Sequence, residues 1–101
     1  MGGVQDLRFA WDQRKNAQNK RKHGVSFEEA ETAFLDNRAL LLDDPDHSGG
    51  EERLVLLGMS AALRMLVVCH CYRESAQVIR LISARKATAT EQESYSQRWA
   101  R

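Results

Sequence analysis

The sequence predicts one α+β domain, an antiparallel sheet with two helices from the first half of the chain and one C-terminal helix packed on it. Three observations carry this. Apolar residues alternate with a period of two near the start and recur in extended runs through the second half. Capping signals open each helical segment. The last three extended runs are joined by turns too short for a crossover, so they should form an antiparallel meander. At 101 residues the chain has room for a single domain spanning 1–101, with residues 1–4 expected as a loosely ordered start. With 43% hydrophobic and 29% charged residues it reads as globular.

In order, Leu7, Phe9 and Trp11 alternate with Asp6, Arg8 and Ala10, which predicts a strand over 5–11. Asp12 stands where an N-cap belongs, and Gly24 where a C-cap does, around a helix from Gln13 to His23. Only Ala17 is apolar between Gln13 and His23, so this helix should lie on the surface. Ser26 and Glu29 form a capping box before a stripe of Phe27, Ala30 and Phe34, and that helix should end near Asp36-Asn37. Residues Ala39 to Leu42 read as a short buried strand, and Asp43 to Gly50 as a turn-rich loop. Strands follow at Arg53 to Gly58, Met65 to Tyr72 and Val78 to Ala84. Thr88 and Glu91 make a second capping box, opening a helix to about Trp99.

Several function classes are excluded or demoted. No apolar run approaches the ~20 residues of a membrane span, and the start has no secretory pattern, so a cytoplasmic protein without a membrane partner is expected. There is no Walker A, G-x-G-x-x-G, H-E-x-x-H or G-x-S-x-G pattern. Cys69-His70-Cys71 resembles a metal cluster, but a strand sends its members to alternate faces and no second pair completes a site. The segment from Asp44 to Gly49 resembles a calcium loop, yet Val55 stands where its bidentate Glu would be. Neither a metal nor another cofactor is expected.

Charge is blocky. Residues 1–25 carry six Lys/Arg against two acids, 26–52 one against nine, and 53–101 eight against three. Folding that joins the two basic blocks would create an anion-binding surface. Lys15, Lys22 and His23 lie on or at the end of the first helix, Arg64 at a hairpin turn, and Arg80, Arg85 and Lys86 along the last strand. An Arg inside the apolar run Val78 to Ile82 is either solvent-facing or a phosphate clamp. His70, after Leu66-Val67-Val68, is a possible acid or base or a packed side chain. Arg80 and Arg85 would face opposite sides of an unbroken strand, so they can act together only if the strand ends or bulges near Ser83.

A longer pattern then emerges. Phe9-x-Trp11-Asp12-x-x-Lys15-x-x-x-Asn19-x-x-Lys22-His23-Gly24-Val25-Ser26-Phe27-Glu28-Glu29-Ala30 is followed by Asp44-Pro45-Asp46-His47-Ser48, Glu51-Glu52-Arg53 and Gly58. Arg80-Leu81-Ile82-Ser83-Ala84-Arg85-Lys86-Ala87-Thr88, Glu91 and Tyr95 complete it. This resembles the BrnT family of toxins from bacterial type II toxin–antitoxin systems over roughly residues 7 to 97. The resemblance implies a RelE-like fold and a ribonuclease that inhibits translation by cutting RNA. It implies as partner a BrnA-like antitoxin with a ribbon-helix-helix part, which contacts operator DNA so that the pair represses its own operon, assembled as a dimer of toxin–antitoxin pairs.

RNA cleavage without a metal uses the substrate's 2′-OH as nucleophile, with a base, an acid and cations around the phosphorus. The residues expected to supply these are Arg64, Arg80 and Arg85 for charge, His70 or His23 for proton transfer and Glu52 as an alternative base. Lys15, Lys22, His23 and Lys86 would hold the RNA backbone. The alternative is a catalytically inactive nucleic-acid-binding protein or corepressor scaffold.

Overall fold

The structure is a computed structural model that describes residues 8–44, 52–73 and 77–99. The expected start at 1–4, the first half of the strand read at 5–11, most of the acidic loop with its calcium-like pattern, and the turn at Glu74 to Ala76 lie outside the described residues. The described elements are β1 (Arg8–Ala10), α1 (Gln13–His23), α2 (Phe27–Thr32) with a 3-10 turn (Ala33–Leu35), β2 (Leu40–Asp43), β3 (Leu54–Met59), β4 (Met65–Arg73), β5 (Val78–Lys86) and α3 (Ala89–Trp99). This is the order read from the sequence.

The five strands form one sheet in the order β1-β5-β4-β3-β2. Strands β2 to β5 make an antiparallel meander, but β1 pairs parallel to β5, with Phe9 opposite Ile79. The sheet is therefore mixed, which corrects the fully antiparallel expectation. Alternation in β1 specifies a half-buried strand but carries no information about direction. A second correction concerns β2, expected to be buried. As the sheet's edge strand it leaves Leu41 and Leu42 51% and 50% exposed.

One face of the sheet is covered by α1, α2 and the 3-10 turn. The core beneath them contains Val25, Phe27, Ala30 and Ala33 against Leu56, Leu66, Val68, Ile79, Leu81 and Ala84. Local rules explain the helices. The Asp12 carboxylate accepts from the Arg14 amide at 2.8 Å, and Gly24 closes α1 at φ +72°, where a side chain would be strained. Gly58 is needed because a Cβ there would stand 3.0 Å from the Ala33 carbonyl oxygen, so the 3-10 turn packs directly onto β3.

The polar helix α1 is held by two asparagines three residues apart. Asn16 Oδ1 accepts from the Phe27 amide at 2.8 Å and its Nδ2 donates to Glu28 at 2.9 Å. Asn19 Nδ2 donates to the carbonyls of Val25 at 2.9 Å and Ala84 at 2.7 Å, while its Oδ1 accepts from the Ala84 amide at 3.1 Å. Both asparagines are buried, whereas the basic residues point outward.

His70 lies on the covered face with no exposed surface. Its ring packs edge-on against Phe34 at 4.9 Å and Tyr72 at 5.5 Å, and its Nδ1 donates to the Val68 carbonyl at 3.0 Å. Its Nε2 is buried without a partner among the described residues. Burial disfavours the charged ring and lowers its pKa from 6.5. Stability from the neutral ring is thus complete above pH 6.5 and falls as pH drops below it, because the unfolded chain takes up the proton first. Urea unfolding should show a loss between pH 7 and pH 5 in the wild type that is smaller in His70→Phe. Equal losses in both proteins would show that His70 does not contribute to the acid sensitivity.

Candidate RNA-binding face

The face of the sheet opposite α1 and α2, open around Val55, Cys69 and Ser83, is set by register. Where Leu56, Val68 and Ala84 face the helices, Val55, Cys69 and Ser83 face the other way in one cross-strand row. Leu57, Val67 and Arg85 form the next row, and Cys71 beside Arg80 the one on the other side, with Leu57 and Cys71 themselves buried. In β5 the ladder slips between Cys69 and His70 of its partner: Cys69 pairs with Ser83 but His70 pairs with Leu81. Ile82 is the additional residue of a β-bulge. Leu81 and Ala84 therefore both face the core, and Arg80 and Arg85 share the open face.

This bulge is positioned from the side. Among the described residues β1 pairs with β5 over Val78, Ile79 and Arg80, and the edge of β5 beyond Arg80 has no neighbouring strand. The Asn19 amide takes the place of one, bonding both the N–H and the C=O of Ala84. Here α1 and the bulge enclose a shallow cleft of about 220 Å³, lined by Lys15, Asn19, Lys22, His23, Ile82 and Ser83. Ile82 and Ser83 also line a second cavity of about 290 Å³ between Arg53, Asp44 and Arg85.

The expected site residues separate into groups. Arg80, Arg85, Lys15, Lys22 and His23 line the open face or its cleft. The Arg80 side chain makes no hydrogen bond or ion pair with the described residues, whereas Arg85 is held by Glu91 of α3 through two parallel bonds of 2.9 and 2.8 Å. That pairing holds the Glu91 carboxyl down at about 2. Glu52 is exposed just ahead of β3.

Arg64, His70 and Lys86 do not join this group. Arg64 forms a two-pronged pair with Glu29 and donates to the Gly24 carbonyl at 2.9 Å, closing the end of α1. Glu29 is thereby drawn out of the reciprocal half of its capping box, although the Ser26 hydroxyl still accepts from its amide at 3.0 Å. Lys86 lies opposite Leu66, on the side where its charge acts on Glu29. His70 is enclosed in the core.

Asn19 and Arg53 stand in the longer sequence pattern without an assigned role, and the Cys69–Asp44 contact has no signal there. An Asn at the buried edge of a helix lacking an apolar stripe was the available signal for Asn19. Arg53 lies one residue before β3, and its Nε is buried with no partner among the described residues. Cys69 donates its thiol hydrogen to Asp44 Oδ2 at 3.3 Å. Burial, reinforced by that carboxylate, pushes the thiol pKa up to about 12.

These features define an α+β protein with a mixed five-stranded sheet, one face covered by α1 and α2 and the other carrying Arg80 and Arg85, the latter held by α3. The family described as "Ribonuclease toxin, BrnT, of type II toxin-antitoxin system" matches residues 11–91, and the chain belongs to it. The crystal structure of the Brucella abortus ribonuclease toxin BrnT shares the fold, with a TM-score of 0.62 and 23% identity over 81% of this chain and 97% of that one. No curated protein matches the chain.

Two outcomes are expected. Asn19→Ala should destabilise the protein by about 3 kcal/mol, because the Ala84 peptide group loses its partner at a buried site; thermal or urea unfolding measures it, and an unchanged midpoint would contradict the pinning of β5. At pH 8 Cys69 should alkylate far more slowly than a free thiol, only roughly one molecule in ten thousand being thiolate with a pKa of about 12. Mass spectrometry after iodoacetamide treatment reads this directly, and labelling at the rate of a free thiol would contradict the assignment.

Proposed function

We propose that the chain is a metal-independent endoribonuclease that cleaves RNA on the open face of its sheet through the substrate's own 2′-OH. The observation that supports this most strongly is the bulge at Ile82, which gives Arg80 and Arg85 one face and joins it to the basic cleft beside α1. Phosphodiester transesterification builds negative charge on the non-bridging oxygens, and guanidinium groups fixed beside them stabilise it. Arg80, without a partner among the described residues, is the group for that charge. Arg85, oriented by Glu91, is the second cation, its charge partly offset until substrate binds.

Lys15 and Lys22 hold the RNA backbone. His23 brings an imidazole to the same cleft, and imidazole is the side chain most often used for proton transfer. Glu52 is the alternative base. The fold is read as RelE-like, and the outcome of RNA cleavage in the cell as inhibition of translation.

A type II family implies a protein antitoxin. We take this partner to be a BrnA-like ribbon-helix-helix protein that covers the basic face, contacts operator DNA and represses the shared operon as a dimer of toxin–antitoxin pairs. No helix among the described residues is long and apolar enough to cross a membrane. The protein is read as acting in the cytoplasm.

Purified chain should cut RNA in the presence of EDTA and leave 2′,3′-cyclic phosphate ends. Arg80→Ala should lower the rate about 10²–10³-fold, the usual effect of one well-placed electrostatic donor, with an unchanged unfolding midpoint. Cleavage by Arg80→Ala at the wild-type rate would remove Arg80 from the mechanism.

A further inference from the structure

We infer that the cavity between Arg53 and Arg85 is a subsite for one unstacked nucleobase of the bound RNA; this rests on the proposed RNA cleavage on the same face. Its volume of about 290 Å³ lies at the lower end for small-ligand pockets, room for a base with its sugar and little more. The floor is apolar, from Val55 and Val67, with the Cys69 thiol between them in neutral form. This neutral floor suits the π-face of a base.

The wall supplies what a base edge requires. Arg53 Nε is buried and donates to no acceptor among the described residues. The guanidinium lines the cavity, and its outer N–H groups would donate to a ring nitrogen or carbonyl oxygen of a base. Asp44 stands on the same wall and presents a carboxylate that already accepts from Cys69, so an exocyclic amine has an acceptor beside the Arg53 donor. Every base carries such acceptors on its edge, and an adjacent amine distinguishes adenine, cytosine and guanine from uracil.

The occupant is an RNA base rather than a protein side chain because the cavity adjoins the cationic cleft. Ile82 and Ser83 line both. A strand whose phosphates follow Lys15 and Lys22 to the bulge can turn one base into the cavity while its backbone passes between Arg80 and Arg85. Single-stranded RNA is commonly read in this way, with bases splayed out of the stack.

The test uses the full chain and fluorescent single-stranded oligonucleotides carrying 2′-O-methyl groups, which lack the attacking hydroxyl. One set keeps every base; the other has an abasic residue stepped through each position. Wild type should bind at least one abasic oligonucleotide about ten-fold more weakly than its parent, the ordinary effect of losing one base contact. Arg53→Gln and Val67→Phe should bind the parent as weakly as wild type binds that abasic form, show no further abasic penalty, and keep the wild-type salt dependence. Circular dichroism verifies their folding, and the wild-type comparison needs no variant. Salt-dependent binding by wild type without an abasic penalty at any position would overturn the subsite while leaving RNA binding intact. Absence of binding to all oligonucleotides, together with absence of RNA cleavage, would overturn both readings.

Discussion

The structure depends on one side-chain amide. Strand β1 is too short to accompany β5 along its length, and the Ala84 peptide group would otherwise be buried at an edge with no partner. Asn19 supplies both a donor and an acceptor to that peptide and in the same stroke bonds the Val25 carbonyl at the end of its own helix. Leaving a buried backbone donor or acceptor unpaired costs about 1–3 kcal/mol. In a domain of 101 residues, whose total stability is on the order of 5–15 kcal/mol, that is a large share. A helix with no apolar stripe can therefore dock because its buried contacts are hydrogen bonds rather than hydrophobic ones.

The consequence for function is geometric. With β5 fixed beside the bulge, two residues instead of one separate the core side chains Leu81 and Ala84, and the side chains after Ile82 change face. Arg85 is thereby placed with Arg80, and the Lys15, Lys22 and His23 side of α1 is brought against Ile82 and Ser83. The C-terminal helix is tied to the body at polar points: Glu91 holds Arg85, and the Tyr95 hydroxyl donates to Asp36 at 2.7 Å. The same Asp36 oxygen accepts from the Met59 amide at 2.8 Å, so α3 and β3 share one anchor.

Much of the fold was legible because its signals are local. Asp12, Gly24, Ser26 and Thr88 mark helix ends by the chemistry of the first and last turns, and the structure uses each in that way. Short connections required the meander. The parallel placement of β1 and the exposure of β2 were not legible, since both depend on which strand becomes a neighbour in space. The site divides along the same line. Strand parity raised the question of whether Arg80 and Arg85 share a face, but only the register shift answers it. His70 and Arg64 read as chemistry in one dimension and are packing and capping groups in three. Arg53 gave no local signal because its setting is made by β4, β5 and the chain beside β2.

The account stands on the open face as the RNA-binding face. The most direct measurement is an NMR titration of the full chain with a 2′-O-methyl oligonucleotide, following arginine Nε–Hε signals. Arg53, Arg80 and Arg85 should shift together and saturably, while Arg64, closed by Glu29 and the Gly24 carbonyl, stays in place. Shifts confined to Arg64 and the helix-covered side, with Arg80 and Arg85 unmoved, would contradict it.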